Sequence, residues 1–176
     1  MKTFWQFLEN VNPSIKDAVL AELQNKGVSP DVIAIVDAID PSSFIDPKSG
    51  GLNFTPTPEF SKALNVLMQD EKVAKAVKGS LDYLEGSPEE RMKDLTAAIF
   101  RSAYGRVDKQ VLNSLVYAAG LEARSPRVGE NIYTIDPDFR HWIVVDSGTD
   151  NTIQKVKNPA LFDGDHPILA AHVDLN

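Results

Sequence analysis

The residues best suited to chemistry lie close together near the end of the chain. All 3 histidines, His141, His166 and His172, follow Arg140. Imidazole changes charge near neutral pH and is the commonest side-chain ligand for metals. The stretch Pro167-Ile168-Leu169-Ala170-Ala171-His172-Val173-Asp174 is an apolar run that delivers a histidine with an aspartate two residues on, and Asp163, Asp165 and His166 stand just before it. Nitrogen and carboxylate donors of this kind suit zinc or manganese, and an open metal site activates water for hydrolysis. A second group is Ile143-Val144-Val145-Asp146-Ser147-Gly148-Thr149, where three apolar residues run into an aspartate at a turn. A carboxylate so placed can do acid–base work when a second one shares its proton.

The Ile143 to Thr149 stretch resembles the catalytic loop of the aspartic proteases. That resemblance implies a second such aspartate, supplied by another copy of so short a chain, and an extensive sheet around both. The Pro167 to Asp174 stretch resembles the zinc motif of co-catalytic metallopeptidases, which implies His172 as a ligand and Asp174 as the group that orients it. In that family the remaining ligands come later, whereas this sequence ends at Asn176. Each resemblance covers one short stretch. Simpler readings are a strand that ends in an Asp-Ser-Gly turn, with ordinary turn formers, and an exposed acidic loop around His166 and His172. No residue is therefore assigned a catalytic, cofactor-binding or metal-binding role, no cofactor is expected, and the chain is read as no enzyme.

Lys72, Lys75 and Lys78 recur at spacings of three and would stack along one side of a helix. Asp70, Glu71 and Asp82 lie close by, so the row reads as a solvated helix face. The formal net charge is −7, a field that repels phosphate backbones, and no nucleic-acid partner is expected. The sequence has no Gly-x-Gly-x-x-Gly, no phosphate loop ending in Gly-Lys-Ser/Thr, no Gly-x-Ser-x-Gly and no His-Glu-x-x-His. These gaps weigh against nucleotide chemistry and the common hydrolases.

The elements that would position such groups are legible in the punctuation. A small polar residue precedes proline at Asn12-Pro13, Ser29-Pro30, Thr57-Pro58 and Ser87-Pro88. The polar side chain caps free backbone N–H groups, and proline at the first helical position loses no bond. Glu90 stands three residues after Ser87, the spacing of a capping box. Gly27, Gly86, Gly105 and Gly120 mark helix ends. Between these marks run apolar stripes of helical period: Ile15, Ala18, Val19 and Leu23; Phe60, Ala63, Leu64, Leu67 and Met68; Met92, Leu95 and Ile99; Val107, Val111, Leu112, Leu115 and Val116. Val32, Ile33, Ile35, Val36 and Ile39 are apolar on several sides, which predicts the most buried helix.

Asp40 to Pro56 is rich in proline and glycine and lacks a period, which predicts a long loop. After Arg124 the character changes. Ser125-Pro126 and Gly129 mark a linker, and strands are expected at Asn131 to Ile135, His141 to Val145, Thr152 to Val156 and Ile168 to Val173. Ile132, Ile135, Trp142, Val144, Ile153, Ile168, Leu169 and Val173 are too many large apolar groups for a free tail, so this arm should bury them against another element.

The expected fold is mainly α: an irregular helical bundle of six or seven short helices over residues 1–124, with a small β-rich C-terminal extension over 125–176. Absence of cysteine fits a reducing compartment. Val32 to Val36 is the longest aliphatic run, far short of the ~20 residues a membrane span needs. Gln6 and Glu9 interrupt the apolar start, so no signal peptide is expected, and Phe4, Trp5 and Leu8 are read as core or docking groups. The layout points to a non-catalytic structural or interaction protein, a subunit of a larger assembly such as a virion connector or adaptor. Its partners would be other protein subunits, and its place the cytoplasm or a virion assembled there. The alternatives are a small metal-dependent hydrolase using the C-terminal His/Asp cluster, and a regulatory module that binds a partner through the Asp40 to Pro56 loop.

Overall fold

One device starts most of the helices. The Ser29 hydroxyl accepts the Val32 N–H at 3.3 Å, Thr57 accepts that of Phe60 at 3.1 Å, and Ser87 that of Glu90 at 3.2 Å. In each case proline follows the cap. Two aspartates do the same without proline. Asp70 accepts the Val73 N–H at 3.1 Å, and Asp108 accepts those of Gln110 at 2.7 Å and Val111 at 3.3 Å. Each bond satisfies a donor that the first helical turn leaves free.

A computed structural model describes residues 13–40, 44–45, 48–53, 56–127, 130, 132–135 and 153–175; it does not describe the side chains of 13–16, 153–156 and 174–175. Among these residues there are six α-helices: α1 (Pro13–Asn25), α2 (Pro30–Ile39), α3 (Pro58–Leu67), α4 (Glu71–Ser80), α5 (Pro88–Ala103) and α6 (Lys109–Ala118). A single 3-10 turn, Leu81–Tyr83, follows α4. Short strands follow: β1 (Glu122–Arg124), β2 (Tyr133–Thr134), β3 (Ile153–Asn158), β4 (Ala160–Asp163), β5 (His166–Leu169) and β6 (Ala171–Leu175). The chain is mainly α with a β-rich C-terminal extension, and it divides into two compact units, Met1–Ala118 and Ala119–Asn176.

In the first unit α3 packs on α6 and α4 on α5, while α2 touches α1, α3 and α5. The predicted burial of α2 holds: Val32, Ile33, Ile35, Val36 and Ile39 are all buried. The carbonyl of Ala38, near the C-terminal end of α2, accepts a bond from Arg91 Nη1 at 3.1 Å. A cation there satisfies an orphan carbonyl and faces the negative end of the helix dipole. The apolar stripes of α3, α5 and α6 are buried through Phe60, Leu64, Leu67, Leu95, Ile99, Leu112, Leu115 and Val116. Ala18 departs from its stripe and is exposed, whereas Val19 and Leu23 are buried. Part of the long loop is held in place. Phe44 is buried, Ile45 bridges Leu52, and the Asn53 N–H reaches the Phe44 carbonyl at 3.0 Å. Among the described residues no helix is long and apolar enough to cross a membrane.

Among the described residues the second unit holds two three-stranded sheets, ordered β1-β4-β5 and β2-β6-β3. The first is antiparallel; in the second β2 runs parallel to β6 and β3 antiparallel. Ala170, fully buried, links β5 in one sheet to β6 in the other. The core joins Ile132, Ala160, Phe162, Ala170, Ala171 and Val173, with Tyr133 packed against it. Pro167 lies in β5, an edge strand among the described residues, where a missing N–H is tolerated. β structure begins at Glu122, ahead of the expected Arg124 boundary, because β1 pairs Glu122, Ala123 and Arg124 with Phe162, Leu161 and Ala160. Ile135, expected to bury itself against another element, is 52% exposed in the single chain, while Thr134 is fully buried. Neighbouring residues of a strand face opposite sides, so the parity that turns Ile132 and Thr134 inward turns Ile135 out.

Candidate functional site

The Asp146 turn, His141, Trp142, Val144 and residues 1–12 lie outside the described residues. Of the remaining candidates, Asp163 and His166 face each other across the β4–β5 hairpin, where Gly164 takes φ 61° in the tight turn. His166 is exposed. His172 belongs to the other sheet, in register with Thr134 on one side and Asn158 on the other. The two histidines that the sequence places six positions apart thus stand in different sheets. Among the described residues no three His, Asp or Glu side chains come together as metal ligands.

The second unit carries a two-pronged ion pair elsewhere. Arg124 donates to Glu130 Oε1 at 2.7 Å and Oε2 at 2.9 Å, a two-pronged pair. The same guanidinium lies 3.7 Å above the centre of the buried Phe162 ring. The Arg127 N–H also reaches Glu130 Oε1. Arg124 above all, then the Arg127 amide, hold the Glu130 carboxyl at a pKa of about 2. This cluster ties β1 to β4 and to the segment after β1. Arg124 Nε is buried without a hydrogen-bond partner among the described residues, but the two terminal nitrogens are taken by Glu130, and the chemistry is that of a clamp.

On the first unit one helix face and two depressions are open. The outward side of α6 carries Gln110, Asn113, Ser114 and Tyr117, spaced as one stripe of a helix. All four are exposed and uncharged, and exposed Lys109 opens the same side of the helix. The Tyr117 ring is 85% exposed, and Tyr83, on the 3-10 turn, is 81% exposed. The sequence reading named only the buried stripe of α6; its complement, an uncharged stripe ending in tyrosine, was the available signal.

One depression, of about 480 Å³, lies between α4 and the end of α5, lined by Lys72, Lys75, Ala76, Ser102 and Arg106. Arg106 gives Asp70 one nitrogen, Nη2, at 3.5 Å. The Val73 amide, and after it Arg106, hold the Asp70 carboxyl below its ordinary range. Lys78, the third lysine of the row, instead faces Asp31 at 3.9 Å. A further cleft of about 340 Å³ lies between the turn after α1 and α3, lined by Lys26, Gly27, Val28, Pro58, Ser61, Lys62 and Asn65. Compared with known families, curated proteins and solved structures, the chain shows no match.

Proposed function

We propose that the chain is a non-catalytic interaction protein, a subunit that docks on another protein chain through the outward stripe of α6. The observation that carries this reading is Tyr117. A large ring 85% in water ends an exposed stripe that carries no charge after Lys109 at its start, in a chain whose residues are 24% charged. Tyrosine is enriched and charge is depleted at the centre of protein interfaces, while an ordinary solvated helix face carries lysine and glutamate. Gln110, Asn113 and Ser114 can form hydrogen bonds around the ring without desolvating an ion. The edge strands β1, β5, β2 and β3 offer further backbone for association.

A photo-crosslinking residue in place of Tyr117, in the native cell, tests this. The expected result is one dominant protein adduct that is absent when the same residue replaces Lys62, exposed on α3. Tyr117→Asp should abolish co-migration with that adduct's partner in sedimentation velocity while the helical circular dichroism is kept. No specific adduct at position 117, or co-migration unchanged by Tyr117→Asp, would overturn the reading.

A further inference from the structure

We propose that the depression between α4 and the end of α5 binds a phosphoryl group through Lys72, Lys75 and Arg106. Three cationic side chains line it and no carboxylate does. In an acidic chain this local excess of positive charge stands against the net charge of −7. Among the described residues Lys72 and Lys75 enter no ion pair. Glu71 stands four residues before Lys75, the spacing that favours such a pair, yet none forms. Among the described residues the two ammonium groups thus have no counter-ion, and they stand beside an open space.

Arg106 adds the geometry. Its guanidinium has five donors in a planar fork, and Asp70 takes one nitrogen at the long distance of 3.5 Å. Asp70 orients the fork and leaves donors for a tetrahedral oxyanion, the ligand for which arginine and lysine together are suited. Ser102 does not donate: its hydroxyl already reaches the carbonyls of Ala98 and Ile99, both at 3.0 Å. The cations carry the site. The positive row stops at Lys78, which Asp31 engages, so the depression suits a single phosphoryl group and offers no track for a nucleic-acid backbone. The ligand class is phosphate, free or as the monoester of a small molecule.

The test is a titration of the full chain with inorganic phosphate, followed by amide chemical shifts. Saturable shifts confined to α4 and the end of α5 are expected, with affinity lowered at least about tenfold by Lys72→Ala/Lys75→Ala together and unchanged by Lys78→Ala, a tenfold step corresponding to ~1.4 kcal/mol. Arg106→Lys, which keeps the charge and loses the fork, should weaken binding by a smaller factor. Thermal melts of each variant, all at exposed positions, confirm folding. Parallel titrations with phosphoserine and serine separate the sources: tighter binding of phosphoserine than of phosphate assigns the ester, equal binding the free ion. Absence of saturation with both phosphate and phosphoserine, or equal weakening by Lys78→Ala, overturns the proposal, because general attraction between charges would act on all three lysines.

Discussion

Arg124 and Glu130 close a two-pronged ion pair, 2.7 and 2.9 Å between their terminal atoms, while the flat side of the same guanidinium covers the Phe162 ring. One side chain thus binds three pieces of the second unit: its own strand β1, the centre of β4, and the turn at Glu130. Glu122 adds a fourth group, 3.8 Å from Arg124 Nε, too far for a hydrogen bond. Among the described residues the core cluster of this unit has three alanines in six, and the clamp adds a polar fastening to that packing.

Acid should loosen it. The Glu130 carboxyl falls from 4.5 to about 2 on folding, chiefly through Arg124. A carboxyl with a depressed folded pKa contributes stability that is present above its unfolded pKa and is lost as pH falls through the folded one. Melting temperatures of the native chain and Glu130→Gln should therefore differ most above about pH 4.5 and converge toward pH 2. A constant difference across that window would mean that the pair contributes through shape alone.

Phe162 is fully buried at the centre of the first sheet. Truncation of a buried phenylalanine typically costs about 3–5 kcal/mol, so Phe162→Ala should unfold the second unit at ordinary temperature. Amide exchange resolves the effect by region: protection in β4 and β5 should collapse. Retained protection there would show that the ring is not the centre of that core.

What the sequence disclosed and what it hid follow from the range of the forces involved. The caps Ser29, Thr57 and Ser87 were legible because cap and proline are neighbours in the chain. Asp70 and Asp108 cap as well but lack the proline that flags them. The burial of α2 followed from a composition apolar on several sides. β4 was missed because Ala160, Leu161 and Phe162 are all buried, so no alternation marks a strand, and β1 is visible only through its pairing with β4. Lys72 and Lys75 were noticed as a row; Arg106, the third cation of the depression, comes from another helix end, and no local spacing links it to them.

The start of α5 offers a graded test of capping. Ser87→Ala removes the acceptor of the Glu90 N–H and should cost ~1 kcal/mol, whereas Ser87→Gly should cost only a few tenths. Gly86→Ala is a different case. Gly86 has φ 92°, which an L side chain adopts at a cost of roughly 1–2 kcal/mol. The added Cβ would also collide with the Glu90 carboxylate oxygen. That oxygen ends a flexible side chain and can swing away, so Glu90→Ala should rescue little of the loss. Urea melts of the single and double variants measure this, and full rescue would assign the cost to the collision instead of the backbone.

The division of the chain at Ala118 makes an uncommon forecast about truncation. A fragment of residues 1–118 contains all six helices, and α1 to α6 pack on one another within it. It should keep its helical circular dichroism and melt cooperatively. A longer fragment, residues 1–130, retains β1 but lacks β4, its partner in the sheet. Glu122, Ala123 and Arg124 then present unpaired backbone, an edge that invites pairing between chains, and Arg124 has lost the Phe162 ring beneath it. The extra residues should therefore make the fragment worse, with light scattering rising with concentration for 1–130 and staying flat for 1–118. Arg124→Pro in the longer fragment removes a donor and disfavours the strand, and should restore the flat profile. If 1–118 aggregates or loses its helices while 1–130 stays monomeric, the boundary lies beyond β1 and the helical unit needs that strand to fold.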